Sequence, residues 1–201
     1  RMSDGSAFRL TTSRYYTPSG RCIQKSYTDG VDAYHKESQN RYFNGELYTQ
    51  DSLKVEDSLM YYTDKGRVVY GGGGISPDYF VAIDTTGRTD WLYDVFASNL
   101  INTFVFDYVD ENRKKLMQYH SAQEFHDNFH IDKTLFDSFI KYTEKEGILN
   151  TKSQIQHSEA WMKMRIKSVI ARQEWNEEGF FRTVNHSDSI MLKAIEILYQ
   201  N

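Results

Sequence analysis

Cysteine is nearly missing from this chain. Cys22 stands alone among 201 residues, so no intrachain disulfide can form and no cysteine-based tetrahedral metal site can be built within one chain. Proline occurs twice, at Pro18 and Pro77. A basic excess is also missing: 24 Lys and Arg against 28 Asp and Glu leave a net charge of −4. That balance argues against a dedicated nucleic-acid binder, which needs surplus cations to neutralise phosphates. Long apolar runs are absent as well. The longest nearly apolar stretch, residues 99–109, is interrupted by Asn102 and Asp107 and falls well short of the roughly 20 residues of a membrane-spanning helix. The opening Arg1-Met2-Ser3-Asp4-Gly5 carries no apolar signal core, so the chain reads as an excised piece whose targeting information, if any, lies upstream.

Aromatic residues, by contrast, are plentiful. Fifteen Tyr, 12 Phe and 3 Trp make up 15% of a chain with a mean hydropathy of −0.66, enough apolar surface to offset chain entropy in one moderate core or two small ones. Two textures divide the sequence. Ten of the 12 glycines and both prolines fall at or before residue 87, whereas the remainder is periodic and helix-like.

In the first part, residues 7–16 alternate, with Phe8 and Leu10 on one face and Arg9 and Thr11 on the other, which predicts a strand. It stops at Thr17-Pro18-Ser19-Gly20, where Pro18 presets a tight turn and residues 21–25 can run back as a partner. The spacing of Val31, Tyr34, Ser38 and Tyr42, with Asp32 near the start and Gly45 placed to end it, predicts a helix within residues 29–45. Residues 59–62 and 67–70 flank Thr63-Asp64-Lys65-Gly66 as a hairpin, and residues 79–83 read as another strand.

In the second part, Thr89 or Asp90 caps a helix whose apolar stripe runs through Leu92, Val95, Phe96, Leu100, Phe104 and Tyr108. Ser121 with Glu124 forms a capping box for a short helix reaching Phe129. Asp132 caps the next, which Gly147 ends. A long helix spans roughly residues 152–177, broken by Gly179, and Ser187 caps a last one carrying Ile190, Met191, Ala194, Ile195 and Leu198.

Three motifs bear on chemistry. Gly71 to Gly74 resemble a phosphate cradle only in composition, because Pro77 and a β-rich run follow instead of Lys-Ser or Lys-Thr at a helix start; a close backbone approach fits better. His126 and His130 stand four apart, with His120 six residues before the first, a spacing that lets two imidazoles meet one metal. Asp127 occupies the place of the glutamate base of zinc peptidases and no third ligand is indicated, so surface histidines are the plainer reading. Ser138 and Lys141 fit Ser-x-x-Lys, a spacing one helical turn produces readily, and the companion Ser-Asp-Asn and Lys-Thr-Gly elements are missing. No catalytic residue, metal ligand or cofactor-binding residue is therefore expected in this chain.

One stretch is far more specific. Asp4-Gly5-Ser6-Ala7-Phe8-Arg9-Leu10-Thr11-Thr12-Ser13-Arg14-Tyr15-Tyr16-Thr17-Pro18-Ser19-Gly20-Arg21-Cys22-Ile23-Gln24 closely resembles a segment of the carboxyl-terminal processing, or tail-specific, serine peptidases. Gly74-Ile75-Ser76-Pro77-Asp78-Tyr79-Phe80-Val81 is similar to that family's Gly-Ile-x-Pro-Asp-x-x-Val strand. In the family these elements are nearly adjacent; here about fifty residues separate them, an insertion at about residues 26–66. The resemblance implies an α+β chain: residues 1–87 as the final strands of a peptidase core, and residues 88–201 as a helical domain. It further implies a bacterial envelope or periplasmic hydrolase in which a serine activated by a lysine cleaves protein or peptide substrates. Both residues, and the substrate-recognising PDZ domain, precede the matching segment in the family, so this portion alone is expected to be inactive. Unpaired strand edges or the helices lead to an expectation of self-association. A helical protein-interaction or dimerisation module without a catalytic role is the alternative.

Overall fold

A computed structural model of the chain describes residues 2–10, 12–25, 27–49, 59–71, 75 and 77–200, with the side chains of residues 38, 39 and 42 excepted. Seven helices and one two-stranded sheet are present among them, and the chain divides into two compact units, Arg1–Ile83 and Asp84–Asn201. The class is therefore α+β, with most of the helix in the second unit. Among the described residues no helix is long and apolar enough to cross a membrane.

The first unit holds α1 (Val31–Phe43), β1 (Met60–Tyr62) and β2 (Val68–Tyr70). The expected hairpin forms, antiparallel, with Met60 opposite Tyr70, Tyr61 opposite Val69 and Tyr62 opposite Val68. Its turn closes through the Gly66 N–H donating to the Thr63 carbonyl at 2.8 Å, with Gly66 at φ +75°, a conformation that favours glycine. α1 also forms where the spacing places it, and Gly45 at φ +83° follows its end.

Thr11 lies outside the described residues, and among the described residues of 7–16 the expected strand does not form. The turn beyond it does, with the Gly20 N–H donating to the Thr17 carbonyl at 2.8 Å, yet the pairing reduces to one antiparallel bridge between Tyr16 and Cys22. Phe8 and Leu10 stand 75% and 71% exposed. A strand exists through its ladder, and alternation supplies no ladder partner. Residues 79–83 are likewise irregular, held at one point by the Ile83 N–H donating to the Leu47 carbonyl at 2.9 Å. Val69 is the single buried hydrophobic side chain among the described residues of this unit.

The second unit is built around its longest helix. α2 (Asp90–Ala97) and α3 (Leu100–Leu116) replace the single helix expected from residue 89. Asn99, at φ 57° and ψ 19°, turns the chain between them; asparagine is one of the few side chains that tolerate this left-handed region. Thr89 caps α2 by accepting from the Leu92 N–H at 3.2 Å. α4 (Ala122–Asn128) starts at Ser121, which accepts from the Glu124 N–H at 3.1 Å, while the Glu124 carboxylate accepts from the His120 N–H at 2.8 Å. α5 (Lys133–Lys145) starts at Asp132, whose carboxylate accepts from the Leu135 N–H at 2.8 Å. α6 (Lys152–Val184) opens with a full capping box between Thr151 and Gln154.

Gly179 does not break the long helix. The break lies at Trp175 (φ −124°, ψ 20°) and Asn176 (φ 51°, ψ −141°), and residues 177–184 are again helical. Eight residues of straight helix would separate Ala171 from Gly179 by about 12 Å. Instead a Cβ on Gly179 would lie 2.9 Å from the Ala171 carbonyl carbon and 3.1 Å from its Cβ, so the chain folds back on itself. Glycine permits that crossing, and Asn176 in a sparsely populated backbone region costs about 1–3 kcal/mol to create it. The last helix, α7 (Ser189–Gln200), is capped by Asp188 rather than Ser187. The Asp188 carboxylate accepts from the Ile190 and Met191 N–H groups at 2.8 and 3.1 Å, whereas the Ser187 hydroxyl donates back to the Val184 carbonyl.

α6 packs against α2, α3 and α4, with α5 against α3. Their shared core includes Trp91, Val105, Phe125, Phe139, Met162 and Ile166. Buried Ser158 ties the start of the unit to α6, donating to the Gly87 carbonyl at 2.7 Å and sharing a 2.9 Å hydrogen bond with the Thr89 hydroxyl. α7 contributes no buried residue.

Candidate functional site

The residues singled out from sequence do not assemble a catalytic centre. Ser138 and Lys141 lie on α5, both exposed, and the Ser138 hydroxyl donates to the Leu135 carbonyl at 2.7 Å. That bond satisfies the helix rather than presenting a nucleophile to an amine. His120 and His130 are exposed at either end of α4, and only His126 is partly buried. No group of three or more His, Cys, Asp or Glu side chains is placed to hold a metal ion among the described residues. Of the glycine run, Gly72 to Gly74 lie outside the described residues; at Gly71 a Cβ would sit 2.9 Å from Tyr61 Cε2, a close approach to a ring.

Two features of the first unit involve residues 9–27. Arg9, Leu10, Arg14, Gln24 and Tyr27 border an open groove of about 520 Å³. Arg21 donates through Nη1 to the Tyr70 carbonyl at 3.0 Å, tying the turn after this segment to β2. Neither feature brings a nucleophile and a base together.

A polar cluster lies in the second unit, between α4 and the folded-back end of α6. The His126 ring lies against the His186 ring at a tilt, with centroids 4.1 Å apart and planes 31° apart. Lys167 donates through Nζ to the His126 carbonyl at 2.6 Å. Arg182 donates to the Gln123 side-chain oxygen at 2.5 Å and to Glu178 at 3.3 Å, and His186 Nδ1 donates to the Arg182 carbonyl at 2.8 Å. The Asp127 carboxylate accepts both its bonds, at 2.8 and 2.9 Å, from the Gln123 amide nitrogen. His126 Nδ1 and Arg182 Nε are buried without a partner. Burial first, then the His186, Lys167 and Arg182 charges, lower the pKa of His126 below its usual value, against a smaller opposing pull from Asp127. Burial likewise lowers Lys167.

A second cluster is cationic and aromatic. The Arg172 guanidinium lies 3.9 Å from the Phe180 ring centroid, and that of Arg165 lies 4.9 Å from Phe180 and 5.3 Å from Phe96. These contacts clamp the folded-back segment onto α6. Sequence reading found His126 but paired it with His130; its actual neighbour, 60 positions away, is brought in by the chain reversal at Trp175 and Asn176.

This is a helical unit of stacked aromatic core and surface cations, without a recognisable catalytic constellation. Residues 91–176 match the model of a family described as "Family of unknown function (DUF8443)". The match runs from the start of α2 to the break in α6. No curated protein and no solved structure matches the chain.

Proposed function

We propose that this chain is the C-terminal portion of a bacterial serine-type processing peptidase, supplying sheet and helical scaffold to a catalytic centre whose serine and lysine lie outside residues 1–201. The observation that carries the reading is the sequence at residues 4–24, with its echo at residues 74–81. The exposure of Phe8 and Leu10 supports it: an alternating, apolar-faced segment left without a ladder is what a strand separated from its sheet presents.

The reaction of the whole protein would be peptide-bond hydrolysis through an acyl-enzyme. A neutral lysine amine takes the serine proton as the hydroxyl attacks the carbonyl and passes it to the departing amine; the lysine then takes a proton from the water that attacks the acyl group and returns it to the serine oxygen. Holding a lysine neutral near pH 7 requires a desolvated cleft. Residues 8–24 would extend the sheet behind that cleft, and neither of its walls comes from this chain.

The test is the reading frame that precedes Arg1 in the parent gene, followed by replacement of its candidate serine. The proposal expects a serine and a lysine there, and loss of peptide hydrolysis by the parent protein when that serine becomes alanine. A parent without such a pair, or one whose cleavage depends on Ser138, contradicts it.

A further inference from the structure

We propose that the contact between α4 and the folded-back segment, residues 177–187, is an acid-labile latch in which protonation of His126, whose ring lies against that of His186, weakens the hold of the segment on the helical core. The geometry supplies both parts that such a device requires. One is a hinge: Trp175 and Asn176 leave helical backbone and reverse the chain, and beyond that corner the segment also rests on α6 through Phe180 against Arg165 and Arg172 and through the Arg172–Glu177 ion pair, so the contact at His126 is one of several that hold it. The other is a contact poor in negative charge. His126 faces Lys167 from α6, Arg182 and His186 from the folded-back end, and Asp127 from its own helix. Asp127 already accepts from Gln123, and Glu178 already accepts from Arg182.

Neutral His126 fits this site. Its Nδ1 is buried with no acceptor, so the neutral ring carries its proton on Nε2 and leaves Nδ1 bare. A second proton must go to Nδ1, where no acceptor receives it and where two permanent cations and a second imidazole stand close. The closed contact thereby lowers the proton affinity of His126 relative to the open form, which has the ordinary value near 6.5. The open form binds the proton more tightly, so acid favours opening. The contact is complete above about pH 6.5 and weakens as pH falls below it. Arg182 and His186 respond together, because His186 Nδ1 donates to the Arg182 carbonyl.

Hydrogen–deuterium exchange of the 201-residue chain, corrected for intrinsic pH dependence, tests this. Between about pH 7.5 and about pH 5.5, amides of residues 178–187 should lose protection by up to about tenfold, the ceiling for a proton taken up by the open form one unit below its ordinary pKa. Amides of residues 162–171 should keep theirs. His126→Gln/His186→Gln should hold its protection across the range. Unchanged protection in the wild type, an equal loss in the double variant, or a loss shared by residues 162–171 overturns the latch. If the double variant does not fold, ring-proton NMR of the wild type decides. A His126 midpoint below 6.5 with Arg182 and His186 amides moving in step supports the latch, and a midpoint at or above 6.5 overturns it.

Discussion

Phe125 has no exposed surface and stacks on Phe129 at 4.5 Å, with Trp175 at 5.2 Å on another side. Phe125→Ala should therefore lower the unfolding free energy by about 3–5 kcal/mol in a denaturant titration, the cost of a large buried ring plus its cavity. Gly179 offers a sharper case because two effects oppose. Alanine gains up to about 1 kcal/mol of helix propensity. Its methyl would meet the Ala171 carbonyl carbon at 2.9 Å, and overpacking of that kind costs about 1–3 kcal/mol. Gly179→Ala should accordingly destabilise, as read by the shift in denaturation midpoint; a more stable variant would mean that the two segments are not in contact.

At the scale of elements, caps separate helices that support the core from one that does not. Thr151 opens α6, which packs against three other helices, so Thr151→Ala should cost the whole second unit about 0.5–2 kcal/mol. Asp188 makes comparable bonds at the start of α7, which buries nothing. Asp188→Ala should fray α7 in hydrogen exchange and leave the global melting transition in place. Caps of this sort were legible beforehand: Ser121, Asp132 and the Thr63 to Gly66 turn act on amides within three residues, where sequence distance equals spatial distance. Chain reversals were not legible. Asn99 and Asn176 adopt positive φ at corners between helical stretches, and nothing in their neighbouring residues announces those corners. The strand at residues 7–16 failed for a related reason, since alternation describes a face and says nothing of a partner. The His126 and His186 pairing combined both difficulties, a contact 60 residues long made through an unannounced corner.

The two units differ in self-sufficiency as whole bodies. Residues 84–201 contain the shared aromatic core and should melt cooperatively when expressed alone, as followed by circular dichroism. Residues 1–83 bury one hydrophobic side chain, Val69, among those described and should show no cooperative transition. Phe8→Asp and Leu10→Asp should leave the stability of the 201-residue chain within about 0.5 kcal/mol, as solvated positions do. In the parent the same changes should abolish folding or activity, because there those faces are proposed to be covered. The most direct measurement of that proposal is the release of fluorescent peptides from a labelled unstructured protein, comparing the purified 201-residue chain with its intact parent. Cleavage by the parent and none by the chain is the predicted result; cleavage by the chain alone would contradict it.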